Sequence, residues 1–518
     1  MLQVKNLTVT HKKDNRTLID NLSFSLDQGD KMAVIGEEGN GKSTLLKCIR
    51  DPGMVESYGE ISGEILTGGA VIGYLPQELT EEEREESVWE YMQEAAGFYE
   101  TAPGEQKQLA AALGIPAEFF YEMRPMKSLS GGERVKVQLA RIWMDHPGIL
   151  LLDEPSNDLD LETLRWLEQY IRSCTVPVLY ISHDEMLLER TANRILHMEQ
   201  ICRKTRARYF VTRMGYREYV QNRQEQFQRQ EQQARKERME YDRQQERYRQ
   251  IYQKVERRQS TISRGKPYEA QRLKQKMHTV KAMGHRMERE KREMTEFPEQ
   301  EESIFLKFPR ETALPAGKEV LDLQLPVLEV PDRKLAENLR LRIRGPEKIC
   351  IIGKNGRGKT TLLKKIRARL EERGTLTVGY MPQNYLEALD EKSTPVDFLA
   401  PEGDREQRER VSTYLGSLKF TREEMFHPIG ALSGGQKAKL LLLQLSLQLP
   451  DVMLLDEPTR NFSPLSNPVI RQMLREYPGA IISVSHDRKY MEEVCDRLYE
   501  LTEEGLLLLS REAVLGAE

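Results

Sequence analysis

No run of about eighteen apolar residues occurs in the 518-residue chain, so no segment reads as a membrane-spanning helix. The N-terminus lacks the basic, apolar and small-residue succession of a secretory signal, and a soluble, cytoplasmic protein is expected. Cysteine is scarce and scattered (Cys48, Cys174, Cys202, Cys350, Cys495), without the spacing of a metal site or disulfide framework. Free thiols in a reducing compartment follow. Glycine and proline are missing from Gln221 to Arg264, which excludes a turn-rich α/β fold there. The net charge of −4 is small, but it is unevenly spread. Residues 221–300 hold 21 Lys and Arg against 13 Asp and Glu, so the remainder is acidic. At this length one hydrophobic core does not suffice, and two or three domains are expected.

What is present is a repeated phosphate loop. Gly36, Gly39, Asn40, Gly41, Lys42, Ser43 and Thr44 follow the apolar strand Met32 to Ile35. Gly353, Gly356, Gly358, Lys359, Thr360 and Thr361 follow Ile349 to Ile352 in the same way. A strand, a Gly-rich turn and a helix opening at the Lys aim backbone N–H groups at phosphate oxygens. The Lys reaches the outer phosphates, and the Ser or Thr hydroxyl suits Mg²⁺. One such match carries some false-positive risk as a chance Gly-rich turn, and two in register with further motifs make that reading improbable.

Those further motifs recur in order. Gln77 and Gln383 follow short apolar runs, Ser130-Gly131-Gly132 and Ser433-Gly434-Gly435 open helices, and Asp153-Glu154 and Asp456-Glu457 end apolar strands. His183 and His486 follow a last apolar run. From signature Ser to Asp is 23 residues in both halves, and from that Asp to the His is 30 in both, which marks a duplication. Alternation of apolar runs with helical patterns predicts a largely parallel sheet in each half.

The chemistry of triphosphate hydrolysis gives each residue a task. Lys42 and Lys359 neutralise the outer phosphates. Asp153 and Asp456, with Ser43 and Thr360, suit the Mg²⁺ shell. Glu154 and Glu457 are placed to polarise water as general bases, Gln77 and Gln383 to touch metal and water, and His183 and His486 to bond the γ-phosphate. A Glu after a strand is often only a helix cap and a lone His is usually structural; recurrence at equal spacing favours the functional reading. The two Ser-Gly-Gly segments are further anion sites, useful if each faces the nucleotide held by the other half. ATP would then join the halves.

Over roughly 400 residues these motifs resemble the ATP-binding cassette superfamily. The resemblance implies a head-to-tail sandwich with two composite sites. One joins Lys42, Ser43, Gln77, Asp153, Glu154 and His183 to Ser433, Gly434 and Gly435. The other joins Lys359, Thr360, Gln383, Asp456, Glu457 and His486 to Ser130, Gly131 and Gly132. Two departures stand out. The base-stacking aromatic usual about 25 to 30 positions before the Lys is replaced by a neighbourhood of His11, Lys12 and Lys13, and by Val330 and Pro331 in the second half. Ser463 stands where the first half has Asp160, which predicts unequal hydrolysis rates.

Between the halves, Phe227, Ala234, Tyr241, Tyr248 and Val255 recur every seven residues, and Leu273, Met277, Val280 and Met287 keep helical spacing. Two long helices folded on each other are expected, the first of about 38 residues, broken between Ser260 and Pro267. Arg257, Arg258, Arg264, Lys266, Arg272, Lys274 and Lys276 cluster near the bend. A charge run is usually a solvated face. Joined to acidic ATPase domains, this one suits an RNA backbone. The expected domains are a first cassette over 1–220, a basic hairpin over 221–300 and a second cassette over 301–518.

Fused cassettes with a basic helical hairpin resemble the ABC-F family of ribosome-associated ATPases. That resemblance implies ATP and Mg²⁺ as cofactors, and the 50S ribosomal subunit, ribosomal RNA and P-site tRNA as partners. It also implies action near the peptidyl-transferase centre and a monomer whose cassettes pair within one chain. The hairpin and the unusual second-half loop resemble the antibiotic-resistance subgroup that protects ribosomes. A housekeeping translation factor shares these parts. The fused ATPase subunit of an importer and a DNA-repair ATPase fit less well, the former for want of a basic hairpin and the latter for want of zinc cysteines.

Overall fold

The computed structural model describes residues 1–13, 15–201, 206–261, 267–295, 297, 314–331 and 333–512. Cys202, Arg264 and Lys266, and the bend itself at 262–266, lie outside the described residues. Two compact units emerge. One unites Met1–Tyr216 with Glu301–Glu518, and the other is Arg217–Gln300.

Within the first unit each half is built on a six-stranded sheet. In the first half the strand order is Ile72–Leu75, Ile149–Asp153, Val178–Ile181, Lys31–Ile35, Arg194–Ile201, Arg206–Thr212. All neighbours are parallel except the last pair. The second half repeats this with Val378–Met381, Val452–Asp456, Ala480–Val484, Lys348–Ile352, Arg497–Leu501 and Leu506–Leu509. Strands covered by helices on both faces carry uninterrupted apolar runs, which is why Ile149–Asp153 and Val452–Asp456 are buried throughout. The α/β architecture expected from the sequence is present.

Antiparallel strands form a second layer. Leu2–His11 pairs with both Thr17–Leu26 and Gly59–Leu66, and in the second half Glu319–Val330 pairs with Arg333–Arg344. The P-loop helices fill the space between layers. Leu362, Leu363 and Ile366 share a core with Leu341 and Ile343, and Leu45, Leu46 and Ile49 share one with Leu7 and Val9. This packing fixes the direction of each helix N-terminus.

The halves meet through a buried ionic seam. Arg471 pairs with Glu185, and Arg488 with Glu168 and, at 3.5 Å, Asp184. Lys489 bonds Glu185 at 3.3 Å and also Glu189. All the cations come from the second half and all these acids from the first.

In the second unit a 46-residue helix, Tyr216–Thr261, precedes a 27-residue helix, Pro267–Glu293. The first therefore starts five residues before the expected Gln221 and spans about 69 Å at 1.5 Å per residue. It exceeds the expected length because Tyr216–Val220 carry no helix breaker and simply continue the helix. Ala234, Val255, Val280 and Met287 are buried. A side chain on Gly284 would meet the Tyr248 hydroxyl at 3.0 Å, and Thr295 donates to Glu237, so the helices lie against each other.

Candidate active sites

Each P-loop is shaped by positive-φ glycines: Gly36, Gly39 and Gly41 at 144°, 77° and 87°, and Gly353, Gly356 and Gly358 at 144°, 74° and 91°. At Gly36 a Cβ would stand 2.2 Å from the Met198 carbonyl, so neither the conformation nor the space admits a side chain. The helices begin at Lys42 and Lys359 as expected. Lys42 Nζ donates to the carbonyls of Gly36 (2.8 Å) and Glu37 (3.0 Å). Lys359 does the same with Gly353 (2.8 Å) and Lys354 (3.2 Å). Both ammonium groups are thus curled over their own loops, and burial lowers the Lys359 pKa.

The carboxylates lie where the strand ends place them. Asp153 accepts from Ser43 Oγ at 3.0 Å and from the Tyr74 hydroxyl at 3.4 Å. Burial, reinforced by Glu154, pushes its pKa up to about 6. Asp456 is hydrogen-bonded by Thr360 and likewise raised by burial, and its Oδ2 is buried without a partner. A hydroxyl beside a buried, electron-rich carboxylate fits Mg²⁺, which takes one or two protein oxygens and completes its shell with phosphate and water. Asn40 and Thr44 lie two residues to either side of Lys42, and Asn40 Nδ2 donates to the Met198 carbonyl at 3.0 Å.

Glu154 and Glu457 both adopt left-handed backbone, φ 51° and 53°, a conformation strained for a residue with a Cβ. Their surroundings differ. Burial would raise Glu154, but His183, Lys42 and Asn157 hold it down to about 2. His183 Nε2 lies 3.2 Å from Glu154 Oε1, and Gln77 Nε2 donates to Oε2 at 3.1 Å. His183 Nδ1 is 2.6 Å from the Phe462 carbonyl of the second half. For Glu457, burial and Asp456 push the pKa up to about 7. His486 Nε2 stands 3.8 Å away, its Nδ1 is buried without a partner, and burial with Lys359 brings its pKa to about 3.

The composite arrangement is present. A cavity of about 860 Å³ is lined by Lys359, Thr360, Thr361, Gln383, Asp456, Glu457 and His486 from the second half and by Ser130 and Gly131 from the first. Gly132 is buried just behind, where a Cβ would meet Thr163 Oγ1 at 2.7 Å. At the other site Ser433 caps its helix through Gln436 N, and Gly434 and Gly435 lie against Glu38 of the first P-loop. Ser130 caps in the same way through Glu133.

Sequence reasoning did not single out Glu37 and Glu38, although the register of the two loops sets them against Lys354 and Asn355. It also passed over Arg16 and Arg333, each 26 residues before its P-loop Lys. They donate to the Gly39 and Gly356 carbonyls, both at 3.3 Å, in the neighbourhood where a stacking aromatic was sought.

The ABC transporter family model matches residues 19–157 and 336–460, which together are half of the chain. The chain belongs to the ABC transporter family. Its two matched nucleotide-binding domains make it an ATP-hydrolysing member. It is 28% identical to the ribosome protection protein VmlR of Bacillus subtilis over 98% of this chain and 88% of that protein. It is equally 28% identical to ATP-binding cassette sub-family F member 3 of Mus musculus, over 96% of this chain and 71% of that one. Among solved structures it is similar in fold to the archaeal ribosome recycling factor aABCE1 in complex with the ribosomal stalk protein aP1. There the TM-score is 0.59 and the identity 17%, over 97% of this chain and 90% of that chain. Among the described residues no helix is long and apolar enough to cross a membrane. A family known for cassettes is thus represented here by two of them and a basic helical hairpin.

Proposed function

We propose that this protein is a ribosome-acting ATPase whose cassettes, over 1–220 and 301–518, flank a basic hairpin over 221–300. ATP engages both halves. Lys42 and Lys359 hold the outer phosphates, Ser43, Gln77 and Asp153, and Thr360, Gln383 and Asp456, hold Mg²⁺, and the Ser130 and Ser433 segments close on the triphosphate from the opposite side. Mg²⁺ supplies charge neutralisation at the β and γ phosphates. Glu154 and Glu457 orient and deprotonate water, with His183 and His486 beside them. The hairpin, through Arg257, Arg258, Arg272, Lys274 and Lys276 and through Arg264 and Lys266, binds RNA of the 50S subunit and acts near P-site tRNA and the peptidyl-transferase centre. Hydrolysis releases the protein.

The observation that carries this reading is the facing of Lys359 and Glu457 with Ser130 and Gly131 across one cavity, in a chain whose hairpin exposes Arg257, Arg258, Arg272, Lys274 and Lys276. Similarity to a ribosome protection protein supports a role in antibiotic resistance by displacement of ribosome-bound drugs. Replacing Glu154 and Glu457 together by Gln blocks hydrolysis and leaves binding intact, so the double variant should co-sediment with ribosomes in ATP far more than the parent does. Equal sedimentation of the two would end the ribosomal reading. Expression in a drug-sensitive bacterium should raise inhibitory concentrations of peptidyl-transferase inhibitors; a flat profile removes the resistance role alone.

A further inference from the structure

The two composite sites differ at the one place where the P-loop of one half meets the signature helix of the other. Glu38 Oε2 accepts a hydrogen bond from Gly435 N at 2.5 Å, at the first turn of the 15-residue helix Gly434–Gln448. The neighbouring Glu37 is clamped beside it: Ser466 Oγ donates to Glu37 Oε1 at 2.6 Å, and Lys439 Nζ bonds Oε2 at 2.9 Å. A carboxylate on the first N–H groups of a helix occupies the seat that suits a phosphate oxygen.

Nothing comparable holds at the other site. The residue equivalent to Glu38 is Asn355, which donates Nδ2–H to the Asp158 carbonyl and carries no charge. The residue equivalent to Glu37 is Lys354, 3.3 Å from Glu162. Lys136, the counterpart of Lys439, donates to the Gly114 carbonyl at 3.4 Å and lies over the Trp166 ring. The first signature helix opens instead onto the 860 Å³ cavity.

We propose that Glu38 is a specificity-determining residue that makes the first site, the one built on Lys42, favour a nucleoside diphosphate over a triphosphate. Its carboxylate sits on the donor that a γ-phosphate would use, and the γ-phosphate bears charge of the same sign. A triphosphate must expel Glu38 from Gly435 and give up a charge-assisted hydrogen bond, whereas a diphosphate fills the P-loop and leaves that contact in place. The Lys359 site carries no such charge and takes the triphosphate readily, whereas the Lys42 site still engages and hydrolyses it but holds it less tightly than the diphosphate. This inference rests on the nucleotide-binding role of the P-loops and not on the ribosomal reading.

The test uses the full-length protein without ribosomes. Lys359→Ala leaves only the first site competent, and Lys42→Ala only the second; each is titrated calorimetrically with Mg-ADP and with the non-hydrolysable analogue Mg-AMP-PNP. In the Lys359→Ala background the first site should bind ADP at least tenfold more tightly than AMP-PNP. Adding Glu38→Asn, which installs the residue of the second loop, or the near-isosteric Glu38→Gln should reduce that ratio at least tenfold. In the Lys42→Ala background neither change should move it. A first site that prefers AMP-PNP with Glu38 intact, a ratio insensitive to both substitutions, or an equal change at the second site would each overturn the proposal.

Discussion

Glu154 and Glu457 are the same amino acid at the same place in a duplicated fold, with nearly the same strained backbone, and they carry different electrostatics. His183, Lys42 and Asn157 keep Glu154 ionised, while Glu457 has the burial and the adjacent Asp456 and receives from His486 only the backbone N–H, at 3.3 Å, with no bond from the imidazole. The cause lies across the interface, where the Phe462 carbonyl anchors His183 and His486 Nδ1 has no partner. Glu37 shows the same dependence on the opposite half. Burial alone would raise its pKa, but Lys439 and Ser466 hold it below the ordinary 4.5. A carboxylate with a depressed folded-state pKa contributes stability that is complete above its unfolded value and lost as pH falls through the folded one. Glu37→Gln should therefore cost on the order of 3 kcal/mol near neutral pH, the scale for breaking a buried pair. The gap from the parent should narrow as pH falls below the ordinary 4.5 and through the depressed folded value. Urea denaturation at intervals between about pH 3.5 and 8 measures it, and a gap that is constant over this range would show that the ion pair is not its source.

At the scale of elements, helices and buried parallel strands were legible because burial on one stripe or on both faces leaves a periodic or unbroken apolar pattern. The residues of both sites were legible for another reason: Gln, Asp-Glu, Ser-Gly-Gly and His recur at matched spacing. The edge layer was harder to read. Gly59–Leu66 holds two glycines and alternates exposed polar residues with half-buried ones, so it reads as a loop until Leu2–His11 pairs with it. Nor does any local pattern announce the seam between halves, since Glu168, Glu185, Arg471 and Arg488 look like ordinary helix surface until the other half covers them. Arg471→Met would strand the Glu185 carboxylate in a buried place with only Lys489 beside it, at a cost of roughly 3–5 kcal/mol. Pairing that change with Glu185→Leu should recover most of the loss, because apolar side chains of similar volume replace a buried pair at little or no cost. A double-mutant cycle by chemical denaturation gives the coupling; additive losses would mean that the pair does not hold the cassettes together.

For the whole molecule the decisive quantity is charge distribution, because the acidic remainder of the chain makes a poor polyanion ligand and the hairpin a good one. Arg257, Arg258, Arg272, Lys274 and Lys276 are exposed on the two hairpin helices, whereas the residues that hold these helices together, such as Ala234, Val255, Val280 and Met287, are buried. Charge can consequently be removed from the outer surface without touching the packing. Each phosphate neutralised by a cation releases condensed counterions, so affinity for RNA falls with salt at a slope of about 0.9 per contact on duplex and 0.7 on single strands. Changing all five residues to Gln should weaken ribosome binding at low salt and flatten the plot of log affinity against log salt by up to about 4 units of slope. Circular dichroism should still report the full helical content of the hairpin. Filter binding or sedimentation from about 50 to 200 mM salt provides the comparison. If the variant kept the parent's slope, ribosome attachment would have to come from the cassettes, and the hairpin would be a spacer whose charge is merely solvated.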